Sequence, residues 1–454
     1  MRINDVMASS DASNAGLTCA KADVDRCLSE SADTATTFLS ARVRDEASAR
    51  ALASRSVLVM QVGELWCEAA SVAALLDRVC ALCVGERAPE LAACAGATFR
   101  FETVSRGQRW PRDEQTTALR RLGAFFPLCR TGRVQMKGAE HVFQLVVEFG
   151  AHDASNAPRR CFFVRHLRDG VRDCLAKYSL TTRRYIGPTS MAVELAMLTA
   201  NQALVKPGHL VLDPFVGTGS LLVSAAHYGG YCFGGDIDPR VLHGKGGRTI
   251  ATNFADYGMA ARLIGYASTD LPHSALRQVP LWDAIVTDPP YGVRAGAKTV
   301  GMKARTAAKP DYHVDDPTNH FPQFLPYSLR DSLRDLLAFA ARTLVLGGRL
   351  VYWLPSTSAF RESDFPLHPC LELLCWGHQL MSGDTRRLLV TMQKTVAYDA
   401  AVHANPDASL LGQVGETAHE RFADLFSDSE AVQTARASQQ QQLGSNKQTE
   451  DHQV

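Results

Sequence analysis

Asp288-Pro289-Pro290-Tyr291, followed by Gly292, is the stretch whose residue types most directly suggest chemistry. The run before it, Trp282 to Thr287, is short and apolar, the pattern of a buried parallel strand. Two prolines forbid further ladder pairing and turn the chain out of the sheet. Asp288 and the Pro289 carbonyl are thereby left at the carboxyl end of the strand, where open α/β sheets bind ligands. An acid beside a rigid carbonyl can accept both hydrogens of an exocyclic amine. Tyr291 offers a flat surface to the ring that carries such an amine. Taken alone, the four residues read equally well as a strand end closed by prolines, so other parts of the chain must decide.

The strongest companion is Asp213-Pro214-Phe215-Val216-Gly217-Thr218-Gly219-Ser220, between an expected strand (His209 to Leu212) and an expected helix (Leu221 to Tyr228). Gly217 and Gly219 let backbone approach a ligand closely, and the helix start offers free N–H groups. A dinucleotide fingerprint needs a third glycine where Leu222 stands. Asp213 would repel a pyrophosphate but suits a cationic methionine ammonium, which points to S-adenosylmethionine rather than a nicotinamide cofactor. The expected pocket also takes in Pro214 and Phe215. Asp236, ending the second strand, is expected to accept from the ribose hydroxyls, with Asp238 as the alternative or as a helix cap. Asp270, past the third strand, is expected to take the adenine amine. Thr189 or Ser190 either caps a helix expected from Met191 to Val205 or reaches the methionine carboxylate.

These residues need a sheet to position them. Expected strands at His209–Leu212, Gly230–Gly235, Leu263–Ala267, Leu281–Thr287 and Arg349–Leu354 alternate with helical patterns, the last from Ser328 to Leu344 and stopped by Gly347-Gly348. This predicts a doubly wound α/β fold with a mostly parallel sheet. Leu371–Trp376 and Arg387–Gln393 follow without a helix between them, which predicts a hairpin edge. Upstream, Ser56–Val62, Ala70–Val84, Thr98–Val104, Asp113–Phe126 and His141–Phe149 read as βαβαβ, a separate α+β module. The predicted organisation is a disordered segment over 1–50, the module over 51–158, a basic linker over 159–187, the catalytic domain over 188–397 and a disordered polar tail over 398–454. The linker carries Arg159, Arg160, Arg165, Arg168, Arg172, Lys177, Arg183 and Arg184 against Asp169 and Asp173. Of these, Arg159, Arg160, Lys177, Arg183 and Arg184 are the candidates for tracking nucleic-acid phosphates.

Composition sets bounds on this reading. The 454 residues are 46% hydrophobic with a net charge of +1, so a nucleic-acid surface must be local. The 12 cysteines lack framework spacing, and Cys80 and Cys83 form a lone pair inside a helical pattern, so reduced core thiols are expected and no metal site is read. No apolar run spans a bilayer, and Met1 to Cys19 lacks the core of a signal peptide, so a cytoplasmic protein is expected.

RRYIGPTSM, LDPFVGTGSLL, GGDIDPRVLHGKG, TDPPYGVRAGA and TRRLLVTMQK occur in order between Arg183 and Lys394, with RCFF upstream from Arg160. The DPPY stretch looks like the (D/N)PPY motif of amino-group methyltransferases, and the ordered set resembles the eukaryotic tRNA (guanine(10)-N2)-methyltransferase family. That resemblance implies a class I S-adenosylmethionine-dependent methyltransferase domain, with a Rossmann-like seven-stranded sheet, behind a THUMP-like RNA-binding module. It also implies Asp288, Pro289, Pro290 and Tyr291 as the acceptor site, tRNA as substrate and a small zinc-binding activator subunit as heterodimer partner. A DNA or protein-glutamine N-methyltransferase shares the DPPY chemistry, but the basic stretch and the appended module speak for RNA. Intact Asp213, Gly217, Gly219 and Asp288 speak against a non-catalytic RNA-binding protein.

Overall fold

The computed structural model describes residues 38, 43–150, 157–291, 298–300, 324–358, 360–381 and 385–403. The chain divides into two units, one ending at Ala176 and one beginning at Lys177.

The first unit is built on five strands: β1 (Gln61–Ala69), β2 (Thr98–Arg106), β3 (Arg133–Val134), β4 (His141–Phe149) and β5 (Pro158–Asp169). They lie in the order β1-β5-β4-β2-β3. Helices Val72–Val84 and Arg112–Phe125 bury Leu75, Leu76, Val79 and Leu122 against Trp66, Phe143 and Phe163 of the sheet. Ring centroids of Trp66 and Phe143 are 5.3 Å apart in an edge contact, a favourable aromatic geometry. Cys83 lies in this core, where burial pushes its thiol up to about 12.

Three expectations fail here. Residues 159–169 are not linker but β5, paired antiparallel with both β1 and β4. Cys161, Phe162 and Phe163 are buried, while Arg159 and Arg168 are exposed and Arg160 and Arg165 are paired with acids, so a basic composition masked a core strand. The first strand runs from Gln61 rather than Ser56, although Val57, Leu58 and Val59 are still buried. The segment read as disordered to residue 50 already contains the start of a helix, Glu46–Arg55, capped by Asp45 accepting from the Ser48 N–H. Its earlier residues, Phe38 and 43–45 apart, lie outside the described residues, as does the polar tail beyond His403, which follows a helical turn at Ala400–His403.

The second unit holds β6 (Leu210–Asp213), β7 (Tyr231–Asp236), β8 (Leu263–Ser268), β9 (Trp282–Thr287), a short hairpin of β10 (Lys298–Val300) and β11 (Phe324–Pro326), β12 (Leu344–Thr357), β13 (Leu371–Leu380) and β14 (Thr385–Lys394). The main sheet has seven strands in the order β13-β14-β12-β9-β6-β7-β8. β12, β9, β6, β7 and β8 run parallel, and β14 runs antiparallel to both its neighbours. The expected doubly wound sheet with a closing hairpin is therefore present, and the chain reverses its strand order on either side of β6 and β9, where such sheets bind ligands. Helix Leu329–Thr343 buries Leu333, Leu336 and Leu337 on it.

Gly347-Gly348 does not end that helix. The helix stops at Thr343, and the glycines form an irregularity within β12, between Leu344 opposite Trp282 and Arg349 opposite Ala284. A side chain at Gly348 would meet the Val345 carbonyl at 2.9 Å and that of Asp283 at 3.0 Å, so only glycine fits the bulge. The β10–β11 hairpin was not anticipated from the sequence. No helix among the described residues is long and apolar enough to cross a membrane.

Candidate active site

Asp213, Asp236 and Asp288 all stand at the carboxyl edge of this sheet, ending β6, ending β7 and just following β9. Asp213 is 1% exposed. Its Oδ1 accepts from the Thr287 hydroxyl at 2.8 Å and the Phe215 N–H at 3.1 Å. Burial pushes its carboxyl up to about 8, against the pull of those two donors. A buried acid with so high a proton affinity suits a cationic partner, whose arrival would favour the carboxylate. Thr287, fully buried as the last residue of β9, thus ties the acceptor strand to the acid of β6, a role the sequence reading missed.

The loop after Asp213 turns through Val216 to the helix Ser220–His227, with Gly217 and Gly219 at φ of 50° and 83°. Positive φ is what makes glycine fit both places. A side chain at Gly217 would meet nothing within 4 Å, so the loop borders open space. Asp236 braces the loop: its Oδ2 accepts from the Gly217 N–H at 2.9 Å and its Oδ1 from the Asp238 N–H at 2.9 Å. Burial raises its carboxyl, and the two N–H groups oppose the rise. Asp238 is the cap of helix Pro239–His243 and pairs with Arg240, as its alternative reading had it. A buried acid, a glycine loop open on one side and a second acid at the next strand end together fit a methionine ammonium and a ribose diol.

One expected cap needs correction, and Asp270 has partners of its own. Thr189 is exposed in a turn and caps nothing, because the helix begins at Val193 with Ala192 as its cap residue. Ser190 is the neighbour that reaches the loop, with Oγ 2.7 Å from Thr218 Oγ1 and 2.8 Å from the Gly187 nitrogen. Asp270 is 9% exposed, and its Oδ2 accepts from the Thr299 hydroxyl at 2.8 Å and the Val300 N–H at 2.9 Å, with His273 Nδ1 at 2.8 Å. It anchors β10 to the end of β8 through Oδ2, a role the sequence did not suggest.

At the acceptor end, the Tyr291 hydroxyl donates to Asp288 Oδ1. Burial raises the Asp288 carboxyl, while Tyr291 and the Arg387 guanidinium pull it down. Tyr291 is itself raised well above the usual phenol, by burial first and then by Asp288. Arg387 Nη1 lies 3.8 Å from Asp288 Oδ2. This arginine belongs to the TRRLLVTMQK stretch, which gave no hint of a role because β14 is distant in sequence from DPPY.

The basic candidates separate clearly. Arg183 is 6% exposed and donates to Ser220 Oγ at 2.8 Å, the Tyr178 carbonyl at 2.9 Å and the Tyr257 hydroxyl at 3.3 Å. All its nitrogens are engaged internally, so it braces the loop–helix junction and cannot track phosphates. Arg184 is exposed but paired with Asp256. Arg159 and Lys177 are exposed, Lys177 with its Nζ 5.1 Å from the Tyr178 ring centre. Arg160 packs over Phe162 and pairs with Glu68 at 2.8 Å.

Comparison with known proteins finds two domain families along the chain. Residues 22–172 match the family described as Tmrp11 THUMP N-terminal domain, and residues 181–304 match the RMKL-like methyltransferase domain. The chain is 35% identical to tRNA (guanine(10)-N(2))-methyltransferase TRMT11 of Dictyostelium discoideum, over 81% of this chain and 74% of that protein. It is 34% identical to the Homo sapiens protein of the same name, over 79% of each. Among solved structures it resembles TrmN from Thermus thermophilus, at 20% identity and a TM-score of 0.36, over 82% of this chain and 96% of that one. With a matching N-terminal module, a matching methyltransferase domain and relatives alike along most of its length, the chain belongs to the tRNA (guanine(10)-N(2))-methyltransferase family.

Proposed function

We propose that this protein transfers a methyl group from S-adenosylmethionine to the exocyclic N2 of guanine 10 in tRNA. The observation that carries the reading is the joining of two acids at neighbouring strand ends: Asp213 of β6 and Asp288 after β9, linked through Thr287. Asp213 holds the methionine ammonium, Asp236 the ribose hydroxyls, and the loop of Pro214, Phe215, Gly217 and Gly219 cradles the cofactor. S-adenosylmethionine supplies an electrophilic methyl carbon when bound.

The guanine N2 lone pair is delocalised into the ring and is a poor nucleophile. Asp288 and the Pro289 carbonyl accept its hydrogens and favour a nitrogen whose lone pair points at the incoming methyl, so that orientation lowers much of the barrier. Asp288 then takes the proton that N2 loses. Pro290 keeps this turn rigid. A base in a tRNA stem must leave the stack to arrive here, and the Tyr291 ring is its stacking surface. Residues 188–397 carry the chemistry, and the N-terminal module, with Arg159, Arg160 and Lys177, holds tRNA by shape and phosphates.

The same reading includes work in the cytoplasm and a small zinc-binding activator subunit. β8 is an outer strand of the sheet, with Ile264 55% exposed and no proline or charge within it. Such an edge favours pairing by another chain, and β-augmentation is the mode it suits. Expression of the chain alone should give poorly soluble protein that co-expression with the activator rescues. The test of the activity is the nucleoside map of tRNA from cells lacking this protein: loss of N2-methylguanosine at position 10 is expected, and its persistence overturns the reading.

A further inference from the structure

The geometry points to Arg387 as the residue that reads O6 of the acceptor guanine, which makes it a determinant of base specificity. The inference rests on the guanine reading above and extends it to the far side of the ring.

Arg387 is the third residue of β14. Because β14 runs against β12, its first residues come to the edge where β9 and β12 finish. There the side chain is held on two sides. Its guanidinium carbon lies 4.7 Å from the centre of the Trp353 ring, and its Nε donates to Gln379 Oε1 at 2.7 Å. The side chain is only 16% exposed. Its Nη1 stands 3.8 Å from Asp288 Oδ2, beyond hydrogen-bond distance but beside the carboxylate. Arg387 also interacts with the Tyr291 hydroxyl, and a planar group fixed in this way presents its remaining N–H donors in one direction.

Guanine carries the N2 amine, the N1–H and the O6 carbonyl in that order along one edge. If one Asp288 oxygen accepts from N2 and the other from N1, the next atom along the edge is O6, and the guanidinium stands beside Oδ2 to meet it. A carboxylate oxygen has two acceptor sites, so Oδ1 can keep the Tyr291 hydroxyl while accepting from the amine. Donor, donor and acceptor on the base then meet acceptor, acceptor and donor on the protein. Adenine fails twice: it has no N2 amine, and its own amine would face the arginine's donors. Arginine donating to guanine O6 is also a common specific contact in nucleic-acid recognition.

The test uses the full-length chain, with any subunit that accompanies it, and tRNA carrying guanine or 6-thioguanine at the methylated position. Thioguanine keeps N2 and N1–H but puts a weakly accepting sulfur at position 6. The wild type should favour guanine in kcat/KM by about tenfold or more. Arg387→Met should lose about tenfold to a hundredfold on guanine, and its preference over thioguanine should collapse towards unity, with the Kd for S-adenosylmethionine unchanged. Arg387→Lys should fall between. A methionine variant that keeps the full wild-type preference overturns the assignment. So does a wild type that methylates both bases equally, a result that needs no folded variant. Absence of N2-methylguanosine with either base overturns the guanine reading itself and this assignment with it.

Discussion

Asp213 is fully buried and Asp288 half-buried, both carboxyls are raised by desolvation, and because the proposed function gives them different partners, substitution should separate them. Asp288→Ala should abolish methyl transfer while calorimetry still detects S-adenosylmethionine binding, since the acid faces the acceptor. Asp236→Ala should weaken cofactor binding by about 1–3 kcal/mol, the loss of a charged acceptor. Asp213 adds a pH dependence. Its native carboxyl titrates at about 8, far above an unfolded aspartate, so the folded chain binds more protons than the unfolded one between these values. Stability of the ligand-free protein should therefore fall as pH rises from the unfolded aspartate range and level off above about 8. Binding of a cation should release a proton below pH 8, with affinity rising up to about tenfold per pH unit until it levels there. Calorimetry in buffers of different ionisation enthalpy reads that proton directly, and a pH-independent Kd would mean that Asp213 is already ionised before the cation arrives. Residue types at strand ends made these acids legible. Thr287 and Arg387 were not, because what marks them is a partner supplied by another strand.

At the scale of elements, runs of apolar residues were enough to reveal the seven-stranded sheet, since a strand covered on both faces has little else in it. β5 was hidden because its arginines, exposed or paired with acids, outnumber the residues of its short buried run. The end of the 329–343 helix was misjudged because a glycine pair signals a stop and a strand bulge equally well. Composition likewise could not separate Arg183 from Arg184, which differ in tertiary surroundings alone. Arg183→Ala should remove the donor to buried acceptors at Ser220 and Tyr178 and to the half-buried Tyr257 hydroxyl and cost about 3 kcal/mol. Thermal melting should fall by several degrees while the salt dependence of tRNA binding stays unchanged. Ile264→Lys probes the β8 edge, and full co-purification of that variant with the activator would move the contact elsewhere.

Across the whole molecule, a near-neutral chain must concentrate its affinity for tRNA in local patches. Charge reversal at Arg159 and Lys177, both exposed, should weaken tRNA binding and lower its salt slope by about one for each phosphate that is no longer neutralised. An unchanged slope would make these residues an ordinary solvated face. The sheet order has a further consequence, in the time domain. β14 sits between β13 and β12, yet β13 is made before it. A ribosome adding about 5–20 residues per second finishes β13 while the strand that must separate it from β12 is still unmade. Until residues 385–394 emerge, β13 has no native neighbour, β12 offers a bare edge, and the guanidinium beside Asp288 does not yet exist. A nascent chain arrested just short of Thr385 would carry Asp213, Asp236 and Asp288 and still lack both its closed sheet and the guanidinium beside Asp288. The last strand among the described residues to be synthesised is thus the one that closes the sheet and completes the surroundings of Asp288.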